Sequence, residues 1–156
     1  MQVLVDTSVW SLAFRRTPPG ANPELAVHLA SKEDSLTLLR DLVADGRATL
    51  IGAIRQELLS GIKNQVQFSK LRITMAAFDD LVLTREDYER AAEYLNLCRG
   101  KGVQGSNTDF LICAAAHARK LPILTTDNDF VLYKKYLPIE LLVPFQSPIP
   151  APERKP

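Results

Sequence analysis

The sequence has no apolar run approaching the ~20 residues that a membrane-spanning helix requires. It has two cysteines, Cys98 and Cys113, both inside helical patterns and without metal-ligand spacing. Reduced, packed thiols are therefore expected rather than a disulfide framework or a zinc site. Charge of one sign is also missing: 19 Lys and Arg against 18 Asp and Glu leave a formal net charge of +1. A polyanionic partner would have to be met by a local positive field, not a global one. The start of the chain, Met1-Gln2-Val3-Leu4-Val5-Asp6, lacks the basic stretch of a signal peptide and soon reaches a charge. A cytoplasmic protein is the expectation.

What is present suits one folded domain. Hydrophobic residues make up 46% and charged residues 24% of 156, enough for a substantial core. The domain is expected over residues 1–143. Residues 144–156 carry five prolines in thirteen positions, too many for a regular element.

Short β-branched runs alternate with helical patterns. Strands are expected at 2–5, 48–51, 81–83, 122–125 and, more weakly patterned, 140–143. Helices are expected at 8–14, 35–45, 53–62, 66–78, 85–99, 108–119 and 130–137. The alternation predicts an α/β fold, a mainly parallel five-stranded sheet with helices on both faces. Asp45-Gly46 marks a helix end, and Thr84 with Asp87 has the form of a capping box. Ser106-Asn107-Thr108 offers cap oxygens before Phe110-Leu111-Ile112-Cys113-Ala114-Ala115-Ala116, a helix apolar nearly all round and so expected to be central. The segment Arg15-Arg16-Thr17-Pro18-Pro19-Gly20 interrupts the first helix and reads as a basic rim.

Four acids stand at structural joints. Asp6 follows the first strand, Asp127 follows the strand at 122–125, Asp109 opens the apolar helix, and Glu57 lies two turns into another. In open parallel sheets, ligand sites form at the carboxyl ends of strands, beside the point where strand order reverses. That rule places Asp6 and Asp127. Asp109 joins them only if the loop at 100–105 delivers its helix to the same edge. A simpler role is available to each aspartate, since an acid at a helix start is worth about 0.3–1 kcal/mol. Together, however, neighbouring carboxylates repel, and a hard divalent cation such as Mg²⁺ or Mn²⁺ relieves the conflict.

The runs Val3-Leu4-Val5-Asp6-Thr7-Ser8, Gln56-Glu57-Leu58-Leu59-Ser60-Gly61, Asp109-Phe110-Leu111-Ile112-Cys113-Ala114 and Thr125-Thr126-Asp127-Asn128-Asp129-Phe130 resemble, in order, the motifs of PIN-domain nucleases. More narrowly, the chain resembles VapC-type toxins of toxin–antitoxin pairs. The resemblance implies strand order 3-2-1-4-5 and a Mg²⁺-dependent ribonuclease, Mn²⁺ substituting, that cuts by in-line attack to leave a 5′-phosphate and a 3′-hydroxyl. It places the family's four acids at Asp6, Glu57, Asp109 and Asp127, and polar neighbours at Thr7, Ser8 and Thr125 or Thr126. Asp129 falls at an auxiliary acidic position, and Cys113 stands where a small residue such as alanine is usual. It also implies a homodimer and a cognate VapB-type antitoxin.

On this reading Asp6, Asp109 and Asp127 are the main metal ligands, and Glu57 completes a second position or orients water. Thr7, Ser8 and Thr126 hold the carboxylates in place. RNA phosphates would meet scattered cations: Arg15, Arg16, Arg55 and Lys63 first, with Lys70, Arg72, Lys134 and Lys135 also in view. His117 reads as a packed imidazole and Trp10 as core. Two alternatives remain from the residues themselves. One is a phosphatase with Asp6 as nucleophile, against which stands Ser8 where a second acid is wanted. The other is a non-catalytic regulatory or RNA-binding module.

Overall fold

Val3–Val5 form strand β1, and all three side chains are buried. Successive strand residues face opposite sides, so burial of all three means that both faces are covered here. The computed structural model describes residues 1–14 and 23–142, and for residues 23–31 the backbone only. β2 (Ala48–Ile51) lies parallel to β1 with Leu4 opposite Thr49. β4 (Ile123–Leu124) lies parallel on the other side with Leu4 opposite Ile123. β3 (Asp80–Leu81) pairs outside β2, giving the order β3-β2-β1-β4.

Among the described residues four strands form where five were expected. The segment at 140–143 contributes one parallel bridge, Leu141 opposite Ile123, with hydrogen bonds of 2.8 Å from Ile123 N to Glu140 O and from Leu142 N to Ile123 O. It occupies the fifth place of the order 3-2-1-4-5. It does not lengthen into a strand because β4 offers only two residues before the chain turns away at Thr125. The remainder of the expected strand, from Val143, and the proline-rich segment lie outside the described residues, as does the segment at 15–20.

Seven helices flank the sheet among the described residues: α1 (Thr7–Phe14), α2 (Pro23–Ala44), α3 (Gly52–Leu59), α4 (Gln65–Met75), α5 (Arg85–Gly100), α6 (Asn107–Arg119) and α7 (Asp129–Lys134). α2 begins twelve residues before the expected 35–45. Gly46, at φ 66°, ends it as Asp45-Gly46 predicts. α5 starts at the expected capping box: Thr84 Oγ1 accepts from Asp87 N at 3.3 Å and Asp87 Oδ2 accepts from Thr84 N at 2.8 Å. α6 buries Phe110, Ile112, Cys113, Ala114, Ala115 and Ala116, and its alanines let α5 pack closely along it. Trp10 is core, its Nε1 donating to Val5 O at 3.1 Å and its ring 4.9 Å from that of Phe78.

Two arginines clamp these layers. Arg55 on α3 donates to both Asp80 carboxylate oxygens and to the carbonyls of Met75 and Phe78, tying α3 to the end of α4 and to β3. Arg119, at the end of α6, donates to both oxygens of Asp87 and to the carbonyls of Ala115 and Val82. No helix among the described residues is long and apolar enough to cross a membrane.

Candidate active site

Asp6 sits where β1 becomes α1. Its N–H continues the sheet by donating to Leu124 O at 2.9 Å, and its carbonyl accepts from Val9 N and Trp10 N to start the helix. The side chain is only 5% exposed. Its Oδ2 accepts from Ser8 Oγ and from Thr125 Oγ1, each at 2.8 Å. Each hydroxyl has one proton to give. Both protons are therefore committed to Asp6, and the 3.3 Å approach between Ser8 Oγ and Thr125 Oγ1 is a contact within that ring. The ring is closed from behind by backbone: Thr126 N donates to Ser8 Oγ at 3.1 Å and Asp127 N to Thr125 Oγ1 at 3.0 Å.

The other acids are tethered in the same style. Glu57, exposed on α3, accepts from Thr7 Oγ1 through Oε2 at 2.6 Å. Asp127, at the turn into α7, accepts from Asp129 N through Oδ1 at 2.9 Å. Asp109 accepts through Oδ2 from Tyr133 Oη at 2.7 Å and, at 3.5 Å, from Ser106 N in the capping box of α6. The capping role of Asp109 thus coexists with a second tether. In all four carboxylates one oxygen is held, and among the described residues no side-chain donor reaches the other.

The electrostatics tie three of these groups together. Burial, and then the Asp109 charge, raise the pKa of Asp6 above its ordinary value against the lowering effect of its hydroxyl partners. Asp109 is raised by burial, opposed by Tyr133 and Ser106, and raised further by Asp127. Cys113, one turn along α6, is pushed up by burial and feels both Asp109 and Asp6. None of the four acids takes part in an ion pair among the described residues. Nor do any three of the His, Cys, Asp or Glu side chains described stand together closely enough to hold one ion. The donor set is all carboxylate oxygen and lacks a counter-charge. It fits a hard cation that takes few carboxylates directly and fills its shell with water.

Other expected residues fall as follows. Thr125, rather than Thr126, holds Asp6; Thr126 contributes its backbone N–H, because the chain turns one residue earlier than the choice of Thr126 assumes. Asp129 is exposed and caps toward Asp127 through its N–H. Arg55 was a candidate phosphate contact, yet its donors serve Asp80 and two carbonyls, which leaves it a structural clamp. Lys63 is exposed and lines, with Arg72 and Phe68, a cavity of about 440 Å³ beside α4. Arg15 and Arg16 lie outside the described residues. His117 is a packed imidazole as expected, its Nδ1 2.7 Å from Tyr94 Oη. Tyr133 was not singled out from the sequence, where it reads as one more aromatic of a short helix.

A family model described as the PIN domain matches residues 3–136. The chain belongs to the PIN domain family. Solved structures share its fold at low identity. FitAcB from Neisseria gonorrhoeae superposes with TM-score 0.66 at 18% identity over 92% of this chain and 98% of that one. VapBC2 from Rickettsia felis, bound to a DNA fragment from its promoter, gives 0.61 at 20% over 91% and 98%. A toxin–antitoxin complex from Klebsiella pneumoniae gives 0.60 at 15% over 94% and 100%. No curated protein matches the sequence. The observed parallel sheet and its order agree with the PIN fold expected from the motifs.

Proposed function

We propose that this PIN domain is a divalent-metal-dependent endoribonuclease, the toxin of a VapBC-type toxin–antitoxin pair. The observation that carries the reading is the set of four carboxylates, each with one oxygen tethered and one left over, and none with a cation of its own. Family membership supports nuclease chemistry, and the toxin–antitoxin complexes among the structural neighbours support the biological role.

Asp6, Asp109 and Asp127 would hold Mg²⁺ or Mn²⁺ directly or through its waters, with Glu57 serving a second position or orienting the attacking water. When bound, the ion would neutralise charge on the scissile phosphate and lower the pKa of a coordinated water. The chain's own groups do the rest. Ser8, Thr125 and Thr7 fix the carboxylates by donating to one oxygen of each, so the free oxygens are presented without a search over rotamers. Hydrolysis would leave a 5′-phosphate and a 3′-hydroxyl. Lys63 and Arg72, exposed and outside the ion pairs of the described residues, would position the RNA backbone without reading its sequence.

The partners follow the same reading: a second copy of this chain and a VapB-type antitoxin. Exposed Val66 and Ile73 on α4, and Val131 and Tyr136 around α7, supply apolar surface for them. The protein would act in the cytoplasm, as a domain over residues 1–143 followed by the proline-rich segment.

The test is cleavage of cellular RNA by purified protein with Mg²⁺, Mn²⁺ or a chelator, comparing wild type with Asp6→Asn. Metal-dependent cuts bearing 5′-phosphates, reduced on the order of a thousandfold in Asp6→Asn, are expected from loss of transition-state charge stabilisation. Equal cleavage by the variant, or cleavage indifferent to chelator, would refute the proposal.

A further inference from the structure

Tyr133 does more than fill the core beneath α7. Its ring is fully buried, 4.9 Å from the ring of Phe110 and 5.2 Å from that of Phe130. A phenylalanine would satisfy that packing, and a buried phenol needs a partner for its hydroxyl. Here the hydroxyl donates to Asp109 Oδ2 at 2.7 Å, across 24 residues of sequence, with Gln104 O farther off at 3.4 Å. A phenol carries its proton near neutral pH and a carboxylate oxygen can only accept, so Tyr133 is the donor of this bond.

The approach to Asp109 is built into the backbone as well. A Cβ added at Gly105 would lie 2.3 Å from Tyr133 Oη, 2.8 Å from its Cζ and 2.9 Å from Phe110. Only glycine lets the loop at 100–105 pass this close to the phenol. That loop is the element on which the placement of Asp109 depends. The capping box gives Asp109 only a long 3.5 Å bond from Ser106 N, so the phenol is its short and directed tether.

We propose that Tyr133 is a positioning residue for the metal site: its hydroxyl fixes Asp109 through Oδ2 and so assigns the other oxygen to the divalent cation. The inference rests on the nuclease reading above. Asp6 is oriented by two hydroxyls from its own edge of the sheet, whereas Asp109 is oriented by a phenol reaching up from the core. Metal affinity is thereby coupled to the seating of α7.

The experiment is titration of metal-free protein with Mn²⁺ alone, read as the rise in melting temperature, for wild type, Tyr133→Phe and Tyr133→Leu. Cleavage rate against Mg²⁺ concentration is measured in parallel. Tyr133→Phe should weaken half-saturation by roughly 10–100-fold, the range for losing a hydrogen bond to a metal ligand. Its metal-free melting temperature should stay near wild type, and its cleavage rate should recover substantially at high Mg²⁺. Tyr133→Leu, which also loses ring packing, should melt lower without metal yet show the same half-saturation as Tyr133→Phe. Wild-type half-saturation in Tyr133→Phe would overturn the proposal while leaving the site intact. So would a half-saturation that tracks metal-free stability across the two variants, or a Tyr133→Phe protein that does not fold. Absence of any Mn²⁺ response in wild type would instead bring down the metal-site reading on which the proposal stands.

Discussion

Asp6 and Asp87 are nearly equally hidden, 5% and 4% exposed, and both stand where a helix begins, yet their chemistry is opposite. Asp87 faces the Arg119 guanidinium, at 2.8 Å, and that partner holds its carboxyl below the ordinary range. Asp6 faces two hydroxyls and, at longer range, another acid, and its pKa is raised. Burial alone therefore does not decide the state of a carboxylate in this fold; the supply of a cation does. Where the chain means an acid to be structural, as at Asp80 and Asp87, it brings an arginine. At the carboxyl edge of the sheet it brings hydroxyls and no ion pair among the described residues, the arrangement proposed above to receive a cation from solution.

The sharpest way to break the contrast is to strip Asp87 of its partner. Arg119→Ala leaves a buried, helix-capping charge uncompensated and should cost about 3 kcal/mol, the lower end for a broken buried pair because Arg119 is partly exposed. Chemical denaturation measures it, and the Mn²⁺ half-saturation of the folded variant should be unchanged. A loss below about 0.5 kcal/mol would remove Asp87 from the class of structural acids. A smaller effect is expected at the other pole. Thr125→Val keeps the shape of the side chain but takes one donor from Asp6, and should weaken Mn²⁺ binding roughly tenfold. Calorimetric titration showing wild-type affinity would mean that Ser8 alone orients the carboxylate.

The smallest effect is in pH. For Asp6 and Asp109, whose folded pKa values are raised, the stabilising contribution is fully present below the ordinary 3.8 and is lost as pH rises through the folded values. For Asp87 the sign is reversed: its contribution is present above 3.8 and is lost as pH falls through its depressed value. Metal-free protein should therefore gain in melting temperature as pH is lowered through the raised folded values of Asp6 and Asp109 toward 3.8. Stability should then fall in stronger acid as Asp87 protonates. Saturating Mn²⁺ should abolish the gain, since protons and metal compete for the same oxygens. A metal-free melting temperature that only falls on acidification would contradict the assignment.

Much of this was legible in the residues. The strand at 48–51, the capping box of Thr84 and Asp87 and the glycine that ends α2 follow from local pattern, and the order of the sheet from the resemblance the motifs carry. Asp6 and Asp127 are placed by strand ends alone. Asp109 is harder, because its position depends on a loop whose course is set by Gly105 slipping past Tyr133, a contact no periodicity reveals. Arg55 illustrates the converse. A lone cation in sequence looks free, and only the fold supplies Asp80 and the carbonyls of Met75 and Phe78 that consume it. The choice between Thr125 and Thr126 turned on where β4 stops, and strand ends are set by pairing rather than by composition.

The pairing of β1 with β4 has a consequence in time. Leu4 lies opposite Thr49 on one side, but its partner on the other side, Ile123, comes much later in the sequence. Asp6 likewise waits for Thr125 to supply half of its tether. A chain being synthesised can form α1, β2 and the helices between before β4 and Thr125 have left the ribosome. Such contacts, joined across almost the whole chain, form late and slowly. The ring of hydroxyls around Asp6 therefore closes only after the elements between it and Thr125 have been made.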